Sequence, residues 1–297
     1  MLKNLLIFRV ASSWVADLAK ACEALEAHPF TPCAPTQERS MGWVSPRGKE
    51  HGAIIENIGG HWITRFVVET KVLPGSVVDA AVEAKCKEIE QQTGRKPGRK
   101  EMRDIKDDAR LSLLPAAFTK KVGYWVWLDV KQGFLVIDAS SPAKADEILT
   151  ALVEQLPGFV PKILQTVVSP ATAMTAWLED QVAPGAFSLG AECELKAADD
   201  TKATVKYARH SLEIEEVRGH LQAGKRPTRL SLGYADRAAF VLTDTLQVKK
   251  LHFSDVVHQD KDKADDHFDA DVALTTGELA IMIPALIEAL GGEETPL

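Results

Sequence analysis

The chain has 297 residues, 45% of them hydrophobic and 26% charged, with a formal net charge of -7. Such a chain buries a core, so it is not a disordered polyelectrolyte, and its acidic balance excludes a protein that coats polyanions with its whole surface. A local basic face stays open, because a ligand feels how charge is distributed as well as its sum.

The length suits two domains, or one elongated body with subdomains. Lys3 to Val10, "KNLLIFRV", is a β-type run, and Arg9 falls inside what would be the apolar stretch of a signal peptide. No run approaches the roughly 18 apolar residues of a membrane span. A cytoplasmic protein with no membrane partner is therefore expected. Trp14, Val15, Leu18, Ala21, Cys22 and Leu25 recur at the spacing of one helical face. Residues 28–50, rich in Pro, Gly and polar side chains, read as loop, and "HWITRFVVETKVL" reads as a strand that Pro74 and Gly75 end.

From Ser76 to Gln92, the residues Val77, Val78, Ala81, Val82, Lys85 and Ile89 give a helix, with Ser76 as N-cap and Gly94 as its stop. "GYWVWLDV" and "GFLVIDA" form a strand pair joined through Lys131 to Gly133. A helix follows, "SPAKADEILTALVEQL", with a Ser cap and Pro in its first turn. "LPGFVP" breaks the chain, which places a subdomain boundary near 157–170. The expected organisation is an N-terminal region, 1–160, that includes a basic helical segment at 76–121, and a C-terminal region, 161–297.

The second half reads as a helix at Ala171 to Asp180, a strand at "TKATVKYAR", a helix at "SLEIEEVRGHLQAG", and strands at "RPTRLSLGY", "AAFVLTD" and "VKKLHFSD". "FDADVALTTGELAIMIPALIEALGG" reads as a strand running into a helix. The order predicts an α+β fold with mostly antiparallel sheets and flanking helices.

Signatures of catalysis are few. "GRKPGRKE" fails as a phosphate loop, since Gly94 and Gly98 enclose three residues and Arg99, Lys100 and Glu101 follow. No GxGxxG or GxSxG is present. Cys22, Cys33, Cys86 and Cys193 lie far apart with no CxxC pair, which reads as buried free thiols and not as disulfides or zinc ligands. His252, His258 and His267 gather with Asp255, Asp260, Asp262, Asp265 and Asp266 between 252 and 271. The cluster is either a solvated acidic loop or a divalent-ion site for a nuclease or phosphatase. No cofactor and no resident metal are expected, and the leading expectation is a protein that is not an enzyme.

Charge remains. Arg95, Lys96, Arg99, Lys100 and Arg103 face one anion, Glu101, a net of +4 across nine residues. Lys120 and Lys121 follow Phe118, and the second half adds Lys202, Lys206, Arg209, Lys225, Arg226 and Arg229. Strands that brought Lys206 and Arg209 beside Arg226 and Arg229 would make a stripe that neutralises phosphates without reading sequence. The bland alternative for Arg95 to Arg103 is a solvated linker between helices. "LSLLPAAF" is likewise either core, with Phe118 beneath the next strand, or an exposed apolar tip that meets another subunit.

"FTPC", "MGWVSP", "EAKCKEIE", "SLLPAAF", "LQAGK" and "FDADVALTTGELAIMIPALIEALGGE" occur in this order, and with them the chain resembles the bacterial recombination-associated RdgC family from end to end. The resemblance implies a non-enzymatic, nucleoid-associated protein that binds single- and double-stranded DNA without sequence preference and restrains the recombinase RecA. Direct docking on RecA is the other route to that effect. It also implies crescent-shaped subunits that meet as a ring-shaped homodimer with a basic hole. By position in the motifs, Arg95 and Arg209 match DNA-facing basic residues, and Phe118 matches an aromatic at a subunit contact, with Leu113 and Leu114 beside it. Ala116 stands where the family pattern has an arginine, and "GRKPG" interrupts an otherwise continuous basic helix.

Overall fold

A computed structural model describes residues 1–49, 51–254 and 267–294. Among them are twelve strands: β1 (Leu5–Val10), β2 (Arg39–Val44), β3 (Ile55–Ile58), β4 (His61–Val72), β5 (Phe118–Asp129), β6 (Phe134–Asp138), β7 (Pro161–Ile163), β8 (Phe187–Ala197), β9 (Thr204–Ala208), β10 (Lys225–Tyr234), β11 (Ala238–Thr243) and β12 (Val248–Phe253). The seven helices are α1 (Leu18–Glu26), α2 (Gly75–Thr93), α3 (Arg99–Leu113), α4 (Pro142–Gln155), α5 (Pro170–Asp180), α6 (Glu215–Gln222) and α7 (His267–Ala289). The fold is α+β and its strand pairs are antiparallel, as the element order predicts.

The chain divides into two compact units that interleave in sequence. The first comprises 1–24, 45–64 and 125–297, and the second comprises 25–44 and 65–124. Residues 157–170 lie inside the first unit.

In the first unit the strand order runs β6-β1-β12-β11-β10-β8-β9, and β7 pairs with the end of β1. The apolar run of β1 is buried along its length except at Arg9, as expected of a strand covered on both faces. β10 instead alternates, burying Pro227, Leu230, Leu232 and Tyr234 and turning Arg226 and Arg229 outward. Met174 and Leu178 of α5, Val217 and Leu221 of α6, and Leu279, Ile283 and Leu286 of α7 share one core with the sheet residues Leu195, Leu230 and Leu242.

The second unit pairs β2 residue by residue with Arg65 to Thr70 of β4. Trp43 and Phe66 meet edge to face at 4.8 Å in its interior, and α2 and α3 form an antiparallel hairpin whose buried residues are Val78 and Ile105.

Four expectations need correction. Residues 28–50 contain strand β2, whose Gly42 admits the Phe30 backbone to 2.6 Å of where a Cβ would stand. Ser76 is not the cap of α2, because the helix already begins at Gly75 after Pro74. The segment 76–121 is not helical throughout: Gly94 to Gly98 interrupts it, and the strand β5 begins at Phe118. The C-terminal block is one helix, α7, and not a strand followed by a helix. Its Thr276 hydroxyl donates to the Val272 carbonyl at 2.8 Å, so this buried threonine is satisfied within the helix.

By length and composition α7 alone among the described helices could cross a membrane, at mean hydropathy 1.5, which the sequence pattern did not anticipate. Its apolar stripe, Val272, Leu279, Met282, Ile283 and Leu286, belongs to the core of the first unit.

Candidate nucleic-acid interface

In the second unit the basic stretch occupies the turn and first helical turns of the α2–α3 hairpin. Gly94 ends α2 in the left-handed conformation, φ 72°, and its N–H donates to the Glu90 carbonyl. α2 neutralises its own charges through Lys85–Glu88 at 2.8 Å and Lys87–Glu83 at 2.7 Å. Lys106 of α3 reaches Asp79 of α2 at 2.9 Å.

The turn and the start of α3 are different. Lys96, Arg99, Lys100 and Arg103 are exposed and have no ionic partner among the described residues. They sit at the positive end of the helix dipole, where free N–H groups and cations act in the same direction. Asp104, Asp107 and Asp108 follow later in α3, and the acidic residue of its first turn is Glu101. It takes Arg95 at 2.8 Å and accepts from the Gly98 N–H at 3.3 Å, and the Arg95 hydrogen bond holds its carboxyl below the usual carboxylate range.

The apolar stretch that follows divides between the two readings. Leu114 is 2% exposed and Leu113 half-buried, so these two point into the unit. Leu111 and Phe118 stand out, with Phe118 87% exposed. Pro115 falls in a 3-10 turn over Leu114–Ala116 that ends α3. Lys120 and Lys121 extend from the exposed start of β5, and the Lys121 ammonium lies 4.2 Å from the centroid of Phe30.

In the first unit, β8 lies between β9 and β10, so Lys206 and Arg229 are two strands apart. Glu194 of β8 stands between them, register partner of both. Its carboxylate takes Lys206 at 3.0 Å and the Thr228 hydroxyl at 2.9 Å. Burial pushes this carboxyl up, but the Lys206 and Thr228 hydrogen bonds and the Arg229 charge hold it below the usual range on balance. The next rung places Lys196, which sequence reasoning missed, directly opposite Arg226. Lys225 approaches His220 at 3.3 Å, and Arg209 follows β9 in the left-handed region at φ 55°. β8 and its Glu194 thus separate Lys206 from Arg226 and Arg229, so the expected row of adjacent cations is interrupted by an anion.

The metal reading has less to stand on. Asp255, His258, Asp260, Asp262, Asp265 and Asp266 lie outside the described residues. Among the described ones, no three metal-donor side chains converge, and Asp269 is engaged by Arg47. The cysteines are free, yet only Cys193 is buried, where burial pushes its thiol up to about 11. Cys22, Cys33 and Cys86 are half-buried, against expectation.

These features define an α+β protein with unpaired cations on a helical hairpin and a mixed-charge row on an antiparallel sheet. Residues 1–293 match the family model described as "Putative exonuclease, RdgC". A recombination-associated protein RdgC of Dechloromonas aromatica is 43% identical over 98% of this chain and 97% of its own length. Proteins of the same name from Herminiimonas arsenicoxydans and Bordetella pertussis are 41% and 38% identical, each over 98% of both chains. The chain belongs to the RdgC family.

Proposed function

We propose that this protein acts in DNA recombination by binding single- and double-stranded DNA without sequence preference, as a homodimer that encircles or clamps it. Bound DNA is then less accessible to a RecA-type recombinase. In this reading it is not an enzyme, needs no cofactor, and resides in the cytoplasm on the nucleoid. The observation that carries it is the group Lys96, Arg99, Lys100 and Arg103, exposed, without an ionic partner among the described residues and gathered at the start of a helix in a protein whose net charge is -7. Cations left unpaired in an acidic protein have no structural partner to hold, and phosphate is the anion their arrangement suits. The names of the relatives support the process, and the exposed Phe118 suits a contact between subunits.

Changing these four cations to Glu tests the reading by fluorescence anisotropy on two unrelated duplexes and one single strand. Affinity is expected to fall about equally on all three, with the melting temperature kept. Unchanged affinity would return the segment to a solvated linker.

A second reading, exonuclease activity, is favoured by the family description alone. Incubating end-labelled linear DNA with magnesium or manganese separates the two: release of nucleotides that scales with protein would establish the second reading. Excess DNA relieves inhibition of RecA if access is the mechanism and leaves it if RecA is contacted directly.

A further inference from the structure

Two of the cations expected to meet phosphate are already held by carboxylates, one in each unit. In the second unit Glu101 takes Arg95 at 2.8 Å. In the first, Glu194 takes Lys206 at 3.0 Å, with Arg229 as its register partner on the other side. Each carboxylate is also pinned by a neutral donor, Glu101 by the Gly98 N–H at 3.3 Å and Glu194 by the Thr228 hydroxyl at 2.9 Å. A carboxylate on a free surface swings away when a phosphate arrives. These two are tethered, and the Glu194 side chain is only 19% exposed.

We infer that Glu101 and Glu194 are built-in competitors that occupy Arg95 and Lys206 and limit how tightly the protein holds a polyphosphate backbone. The physical reason is charge bookkeeping at short range. Phosphate must displace or share each carboxylate, and a pinned anion that stays in place repels it. Arg95 and Lys206 then contribute little to affinity in the native protein, in contrast to Lys96, Arg99, Lys100 and Arg103, which no carboxylate among the described residues holds. A protein that must leave DNA for other machinery to act gains from such attenuation, because weaker phosphate contact raises the dissociation rate.

The inference rests on the DNA-binding reading above, and one experiment distinguishes their failures. Full-length wild type, E101Q, E194Q and the double variant are titrated with a labelled duplex over a range of salt. Glutamine keeps an oxygen that accepts from Gly98 or Thr228, so the local hydrogen bonds survive while the charge goes. Each substitution is expected to tighten binding at low salt by about threefold to tenfold. It should also steepen the slope of log K against log salt by about 0.9, as one more phosphate is neutralised. A merely structural role would not move that slope. Wild-type binding with unchanged slopes in the variants overturns this inference alone, whereas no binding by wild type overturns the DNA-binding reading with it. Glu101 lies in the first turn of α3, apart from the sheet, so E101Q stays readable even where E194Q disturbs the sheet.

Discussion

Asp138 shows how one residue reports on its surroundings. On β6 it accepts the backbone N–H of Asn4 at 2.7 Å and of Lys3 at 3.1 Å, tying the entry to β1 down. Burial nonetheless pushes its carboxyl above the ordinary value, outweighing those hydrogen bonds and the nearby Lys3 and N-terminal charges. The sign follows from that direction. Stability associated with the protonated form is fully present below the unfolded value of about 3.9 and is lost as pH rises through the folded value. Asp138→Asn keeps an acceptor and does not titrate. The variant is expected to match or exceed the wild-type Tm at neutral pH, with its advantage shrinking towards pH 4. An advantage that grows on acidification would contradict the assignment. At the same scale, Arg209 holds a left-handed backbone that costs a non-glycine residue on the order of 1 kcal/mol, a strain of the kind that tends to collect at functional positions.

Elements decide what single residues only suggest. Taken as sequence, "LSLLPAAF" leans slightly towards core over contact until the 3-10 turn is placed; Leu114 in that turn is buried, and β5 begins with Phe118 exposed. Two substitutions four residues apart should therefore behave oppositely. Leu114→Ala is expected to cost about 2–5 kcal/mol of stability. Phe118→Ala should leave stability within about 0.5 kcal/mol and weaken self-association, measured by sedimentation velocity. A large Tm loss in the Phe118 variant would return this aromatic to the core.

Helices with a clear start and stop were legible: α2 ends at Gly94, and α4 follows Ser141 and Pro142. The strand pair β5–β6 was legible through its apolar runs and the Gly133 turn. What escaped had physical causes. β8 alternates at its two ends, Phe187 and Leu189, then Cys193 and Leu195, with a register irregularity and exposed Ala191 between, and that interrupted period was the signal that would have found both the strand and Lys196. β2 is short and glycine-containing, so its strand state depends on pairing with β4, which no local pattern encodes. In α7, valine and threonine argue locally for strand, and burial of the stripe against the core overrides them.

For the whole molecule, the interleaving of the units sets the limit of sequence reading. Residues 25–44 join 65–124 across an intervening segment that belongs to the other unit, so the division exists only in long-range contacts. Apart from Lys196, the cations of the two basic places were legible in the sequence, but their pairing was not. Glu194 between Lys206 and Arg229 is a consequence of strand order β9-β8-β10, and Glu101 on Arg95 is a consequence of the turn at Gly94 to Gly98.

A net charge of -7 and phosphate binding are compatible only if the unpaired cations act locally and through the backbone of the nucleic acid. The most direct measurement is the affinity of the full-length protein for two unrelated duplexes of equal length across a salt series. Parallel lines of log K against log salt, steep and superimposable for the two sequences, are predicted. A flat line, or a clear preference for one sequence that survives at high salt, would contradict the account.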